Sequence, residues 1–313
     1  MAKVVVCYHC PCIDGAFAAL AAHLHFKQAG RLDEVRFVPL MVFQPTLADL
    51  QLQGCEEVVY FCDFTPPFAT DVAAHVPRVF VLDHHKTAWE QLNAPGAVVP
   101  PNMTVDFDLK RSGATISLDH FKPSISPALR RIYHHVEDAD LWRWEHPESK
   151  LFHAGIGHMR LDFDIHRNKK LFSRLAHLDV NEVLALGRTS LDAQQRWIDE
   201  TVCGSYEVQL GGAEGLALGW GKCLAVDIPQ NMALHRSHLG SNLASKSLAL
   251  GLQGMAVVAY TEVQMNMPGK VKISFRGVED VDTTVVSQHF QGGGHKLASS
   301  CIISDEIFRT WRC

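Results

Sequence analysis

The side chains of this 313-residue chain that favour metal ions fall at particular places. His9 closes an apolar run at the N-terminus and Asp14 follows it. Asp63 closes another apolar run, and Asp83-His84-His85 comes directly after Val79-Phe80-Val81-Leu82. Asp138 and Asp140 follow a helical pattern that ends near Val136. Taken singly, His9, Asp14 or Asp83 would be an ordinary cap or turn residue. The tandem Asp-His-His is harder to read that way, because burying such a cluster without partners is costly. Carboxylates and imidazoles gathered in one crevice repel one another unless divalent cations neutralise them. An oxygen-rich set with a few imidazoles suits Mn2+ or a related first-row ion better than a thiolate zinc site. Two such ions can polarise a phosphoryl group and turn a bridging water into a nucleophile.

The elements that must position these groups are legible from periodicity. Residues 3–8, 35–40, 57–61 and 78–82 read as strands, and 15–26, 46–52 and 66–75 as the helices around them. Alternation of this kind predicts a parallel sheet with helices on both faces. Groups at the carboxyl ends of such strands converge on one crevice. A Pro- and Gly-containing break at 95–101 precedes helical patterns at 113–121 and 127–136. A long amphipathic stretch at 181–201 leads into shorter, Gly-punctuated strands such as 206–210 and 271–275. The expected architecture is α/β, with a catalytic domain at 1–186, a helical linker at 187–204 and a smaller C-terminal α/β domain at 205–313.

The motifs resemble those of a known family. Asp83-His84-His85 after a hydrophobic strand resembles the signature of the DHH phosphoesterases, and Gly292-Gly293-Gly294-His295 resembles the glycine-rich element of the DHH-associated domain. Arg276 in Ser274-Phe275-Arg276 is similar to that domain's strand arginine. The resemblance covers nearly all of the chain except about 152–180. It implies that His9 and Asp63 hold a first metal, and that Asp14, Asp63 and His84 hold a second, with Asp63 bridging. Asp138 would complete the second site, with Asp140 fitting nearly as well. Asp83 and His85 become the catalytic candidates, with His85 facing the scissile phosphate. Ser112-Gly113-Ala114 resembles a small-residue turn at a helix start that takes a phosphate through its N–H groups. Arg276, Gly292, Gly293, Gly294 and His295 would grip the rest of the substrate. The sequence departs from the family at Cys12, where an aspartate is usual, so the first site either gains a softer ligand or loses one.

The bulk numbers narrow the function. The chain is 47% hydrophobic with a formal net charge of −5. It lacks the basic excess with which proteins grip long nucleic acid. Short oligonucleotides or small nucleotides are therefore the expected substrates, hydrolysed in the manner of a nano-RNase or of an enzyme acting on nucleoside bisphosphates. The alternatives are a pyrophosphatase or exopolyphosphatase, and a nucleotide-binding regulator with an impaired metal site. The family admits a homodimer, although no interface signature is visible. Nine cysteines, an N-terminus without a secretory pattern and the lack of a membrane-length apolar run predict reduced thiols and a cytoplasmic protein away from membranes. Cys7-x-x-Cys10 has no second half at zinc-binding spacing and reads as strand packing. His134, His135, His153 and His158 read as structural or surface residues.

Overall fold

A computed structural model describes residues 2–41, 45–261, 267–278 and 281–313 of the chain. It divides into two compact units, Met1–Leu191 and Asp192–Cys313.

The first unit contains β1 (Val4–His9), α1 (Ile13–Gln28), β2 (Val35–Leu40), β3 (Val58–Cys62), α2 (Ala69–Val72), β4 (Arg78–Asp83), α3 (Lys86–Leu92) and β5 (Met103–Phe107). It continues through α4 (Gly113–Phe121), α5 (Pro127–Asp140), α6 (Ser149–His158), α7 (Leu171–Ala176) and the start of α8 (Val180–Cys203). The strands form one sheet in the order β2-β1-β3-β4-β5, parallel throughout. Val4, Val6 and Tyr8 enter one core, whereas Val5 and Cys7 enter the other. Such two-sided burial is why β1 reads as an almost unbroken apolar run. Helices α1, α4, α5, α6 and α7 build the first core, and the short α2 with Leu50, Phe68 and Val76 covers the opposite face. Helix α1 is buried continuously from Asp14 to Ala22, its alanines letting neighbours approach closely. Strand order reverses between β1 and β3, so the crevice at their carboxyl ends is where an open α/β sheet takes a ligand.

The expected helix at 46–52 is a single tight turn, Leu47–Leu50, closed by a capping box between Thr46 and Asp49. Of 66–75 only Ala69–Val72 is α-helical. Strand β5, which the sequence reading passed over, follows the Pro-containing break directly and lies at the sheet edge. Its Thr104 and Asp106 are exposed, so it lacks the apolar run of the inner strands.

Helix α8 runs unbroken from Val180 to Cys203, through the division between the units. The second unit contains β6 (Tyr206–Gln209), α9 (Gly212–Ala217), β7 (Lys222–Asp227), α10 (Arg236–Ala249), β8 (Met255–Tyr260) and β9 (Lys270–Gly277). It ends with α11 (Thr284–His289), β10 (Gly293–His295), β11 (Ala298–Ser304) and α12 (Asp305–Arg309). Its sheet runs β10-β11-β9-β8-β7-β6 and is antiparallel except between β7 and β8. Phe275, Phe308 and Trp311 fill one core, while Leu239 and Leu243 of α10 pack into the other. Among the described residues, no helix is long and apolar enough to cross a membrane.

Candidate active site

The ends of five elements supply the cluster in the first unit. His9 is the last residue of β1, Cys12 precedes α1, and Asp14 lies in the first turn of α1. Asp63 stands immediately after β3, Asp83 ends β4 with His84 and His85 following, and Asp140 is the last residue of α5. Asp63 has φ +61°, a left-handed conformation that costs a non-glycine residue about 1 kcal/mol or more. Gly113 lies against it: a Cβ there would come within 2.4 Å of the Asp63 Cβ.

Asp63 is the centre of the arrangement. Its Oδ2 is 3.2 Å from His9 Nδ1 and its Oδ1 is 3.1 Å from His84 Nε2. His84 Nε2 is also 3.4 Å from Asp140 Oδ2 and 3.7 Å from Asp14 Oδ2. Three groups have ligand atoms mutually within 4.8 Å: His9, Cys12 and Asp63; Asp63, His84 and His85; and Asp14, His84 and Asp140. Burial raises the Asp14 pKa well above the usual carboxylate range, and the neighbouring Asp63 and Asp140 add to the effect. Asp140 is raised by burial and by Asp63. For Asp63, burial works upward, but hydrogen bonds to His84 and His9 prevail and hold it low. Burial, with Asp63 and Asp14 nearby, pushes the Cys12 thiol up. Asp14 Oδ2 is buried with no hydrogen-bond partner among the described residues. Crowded carboxylates, one oxygen left unpaired, and imidazole nitrogens among them make a donor set that fits a divalent cation.

Asp83 does not face the crevice. It is fully buried, and its Oδ1 accepts from His84 N (2.7 Å), His85 N (3.1 Å) and His85 Nδ1 (2.7 Å). Its Oδ2 accepts from Thr65 Oγ1 at 2.5 Å. With its oxygens filled, Asp83 orients the two histidines and is a positioning residue. The same hydrogen bond raises the His85 pKa to about 9 against the opposing effect of burial.

Two expectations need correction. Asp140, not Asp138, joins the cluster. The two are separated by about 200° around a helix, so they cannot face the same site. Asp138 instead accepts from Glu145 N (2.9 Å) and His146 N (3.1 Å), anchoring the loop after α5. Ser112 and Gly113 do not present a phosphate seat. Both are buried, the Ser112 side chain caps Thr115 N, and Ala114 N donates to Asp14 Oδ1 at 3.1 Å. The N-terminus of α4 therefore steadies a carboxylate of the cluster.

In the second unit, Arg276, Gly293 and Gly294 line a pocket of about 170 Å³ together with Arg236, Lys272 and Tyr260. Arg276 donates to Ser274 Oγ (3.0 Å), Phe275 O (2.8 Å) and Ser237 Oγ (2.9 Å). Burial, then the nearby Arg236, lowers its pKa. Gly294 has φ +142°, and a Cβ there would come within 2.5 Å of Ala298 O. Gly292 adjoins the pocket without lining it. His295, at the end of β10, is exposed and is not among the lining residues. Lys272, Ser274 and Arg276 alternate along β9, and that period of two is the signal that could have added Lys272. Arg236, at the start of α10, had none. In the first unit, His135 was passed over as structural. It is buried, with burial lowering its pKa, and it lines a cavity of about 100 Å³ with Cys12, Asp14 and Asp140. Cys7 and Cys10 are buried thiols, Cys10 pushed up to about 11 by burial.

No family model matches the chain. It is 28% identical over 170 residues to the uncharacterized protein R106 of Acanthamoeba polyphaga mimivirus, a match covering 51% of this chain. That match spans only 38% of the relative's length. Among solved structures, a pGpG-specific phosphodiesterase, PggH from Vibrio cholrae, is similar at 12% identity and TM-score 0.45, covering 99% of each chain. An exopolyphosphatase-related protein from Bacteroides fragilis aligns at 12% identity and TM-score 0.38, over 98% of this chain and 89% of its own. RecJ in complex with Mn2+ from Thermus thermophilus aligns at 14% identity and TM-score 0.40, over 98% of this chain and 50% of its own. The motifs and the site geometry, rather than these likenesses, carry the functional argument.

Proposed function

We propose that the chain is a divalent-metal-dependent phosphoesterase of the DHH type that cleaves phosphodiester bonds in short oligonucleotides or small nucleotides. The observation that carries this reading is Asp63, with one carboxylate oxygen beside His9 and the other beside His84. His9, Cys12 and Asp63 would hold one ion, and Asp14, Asp63, His84 and Asp140 the other, with Mn2+ matching the donors. Bound there, such ions supply charge for a phosphoryl oxygen and a water acidic enough to attack near neutral pH. The protein's own groups do the rest. Asp83 holds His85 through Nδ1, which leaves Nε2 as the atom that gives a proton to the departing oxygen. Arg276 and Arg236, with the backbone at Gly293 and Gly294, offer the second unit's seat for another phosphate of the substrate.

A turnover assay tests the reading. Purified protein with Mn2+ is given 5′-phosphorylated dinucleotides, short RNAs, nucleoside bisphosphates and pyrophosphate. The expected result is hydrolysis of dinucleotides and short RNAs that stops with chelator. Hydrolysis of pyrophosphate alone, or of nothing, overturns the proposal.

A further inference from the structure

The cavity of about 100 Å³ beside the carboxylate cluster has a wall that the phosphoester chemistry does not use. Cys12, Asp14 and Asp140 line it on the side of the cluster, and His135, Phe152 and His153 are among the residues that line the rest. The His135 ring stacks on Phe152, with centroids 5.4 Å apart and planes 23° apart. His153 is exposed, and it meets Trp144 edge-on at 6.1 Å; Trp144 in turn meets Trp142 at 4.9 Å. Trp142 is 74% exposed. A row of rings thus connects the cavity with the surface. Trp142 and Trp144 have φ +55° and +57°, a conformation that bulky residues adopt only when their surroundings impose it. Asp138 imposes it here, gripping the loop through Glu145 N, His146 N and its own carbonyl, which accepts from Arg143 N at 3.0 Å.

The polar end of this wall is His135 Nε2, which is buried and has no hydrogen-bond partner among the described residues. The other ring nitrogen, Nδ1, is 3.0 Å from Ser149 Oγ and so already has a partner. Nε2 is the ring atom left to hydrogen-bond a ligand.

We propose that this cavity is a nucleobase pocket: the base of the nucleotide whose phosphate lies at the carboxylate cluster stacks on the aromatic wall at His153, which Trp144 backs, and His135 Nε2 hydrogen-bonds the base edge. The inference rests on the phosphoesterase reading and names what that site recognises beyond phosphate. Planar rings beside a phosphate site suit a base, because every base has a face that stacks on an aromatic side chain. A buried ring nitrogen without a partner among the described residues suits a hydrogen bond to the base edge.

The test measures binding by calorimetry in Mn2+, with each of the four nucleoside 5′-monophosphates against ribose 5-phosphate. The wild type is expected to bind at least one nucleotide about tenfold or more tighter than the baseless sugar phosphate. Trp144→Ala and His153→Ala should each close most of that gap. His135→Phe, which keeps the stack on Phe152, should narrow it, provided circular dichroism shows it folded. Equal wild-type affinities for all five ligands overturn the proposal whatever becomes of the variants. A loss that falls equally on nucleotide and sugar phosphate in Trp144→Ala and His153→Ala also overturns it, because the loop would then act only by placing Asp140. The same preparation is assayed on a 5′-phosphorylated dinucleotide. Hydrolysis without base preference sinks the pocket alone, and no hydrolysis sinks the phosphoesterase reading with it.

Discussion

The two units solve opposite electrostatic problems with opposite devices. The first gathers carboxylates and imidazoles at the ends of parallel strands and helices, and buries them until they repel. The second sets Arg236, Lys272 and Arg276 around a glycine-backed hollow on one face of a mostly antiparallel sheet. One attracts cations and the other anions. A site for chemistry on a phosphate needs both signs of charge, and in this chain the carboxylate cluster lies in the first unit and the cationic hollow in the second. The difference also teaches what to expect from mutation: chemistry should fail in the first unit, and grip should fail in the second.

The sharpest way to break that contrast is Asp63→Ala. Removing the shared carboxylate should lower kcat by about a thousandfold or more and lower bound Mn2+ per chain, as read by steady-state kinetics and elemental analysis. A variant that kept its metal and half its rate would deny the bridge. Next in size is Arg276→Ala, expected to raise KM for a dinucleotide about tenfold with kcat changed less, while Mn2+ uptake stays the same. If kcat fell and KM held, the second unit would belong to the chemistry.

A smaller effect is expected at Cys12. With an aspartate there, the His9–Asp63 group gains a hard oxygen donor, so Cys12→Asp should lower the Mn2+ concentration for half-maximal activity several-fold. An unchanged titration would show that the thiol does not limit that site. The smallest effect lies away from both sites. His23 packs against Phe37 and Phe172, and burial, aided by Lys27, lowers its pKa to about 4. The unfolded chain protonates this histidine near pH 6.5, and the folded chain only near 4. Stability is therefore complete above about 6.5 and falls as pH drops toward 4. Discounted for partial exposure, the loss at pH 5 is about 1 kcal/mol, and His23→Gln should reduce the drop in Tm between pH 7 and pH 5 by about 2–4 °C. An identical acid profile for the variant would remove His23 from the account.

The asymmetry between the units also governs what the sequence could reveal. His9, Asp14, Asp63, His84 and His85 follow buried strands, so their polarity stands out after apolar runs, and the structure brings all five together. Asp138 and Asp140 could not be told apart, because the choice depends on the rotation of α5 against the sheet. Asp83 read as reactive because it belongs to the motif; only its filled acceptors show it to be a support. The phosphate seat expected at Ser112 failed because a helix start can serve an internal carboxylate as well as an external anion. In the second unit, Arg236 comes from a distant element, α10, and shares no motif with Arg276, so the two meet only once the unit is folded, whereas Lys272 was within reach of the period of two along β9. The inner strands of the first unit were readable from apolar runs. Edge strand β5, with polar residues on its exposed side, was not.

The contact between Gly113 and Asp63 gives the protein a hidden weak point. Alanine at 113 adds no charge, no donor and no acceptor, and in most helices it would be a benign or helpful exchange. Here its methyl group would need the space held by the Asp63 side chain, only 2.4 Å away from Cβ to Cβ. Something must move, and the residue against it is one already held in a conformation that tolerates little adjustment. A hydrogen atom in place of a methyl group is thus as much a requirement of the site as any of its ligands, and an inventory of polar residues would never find it.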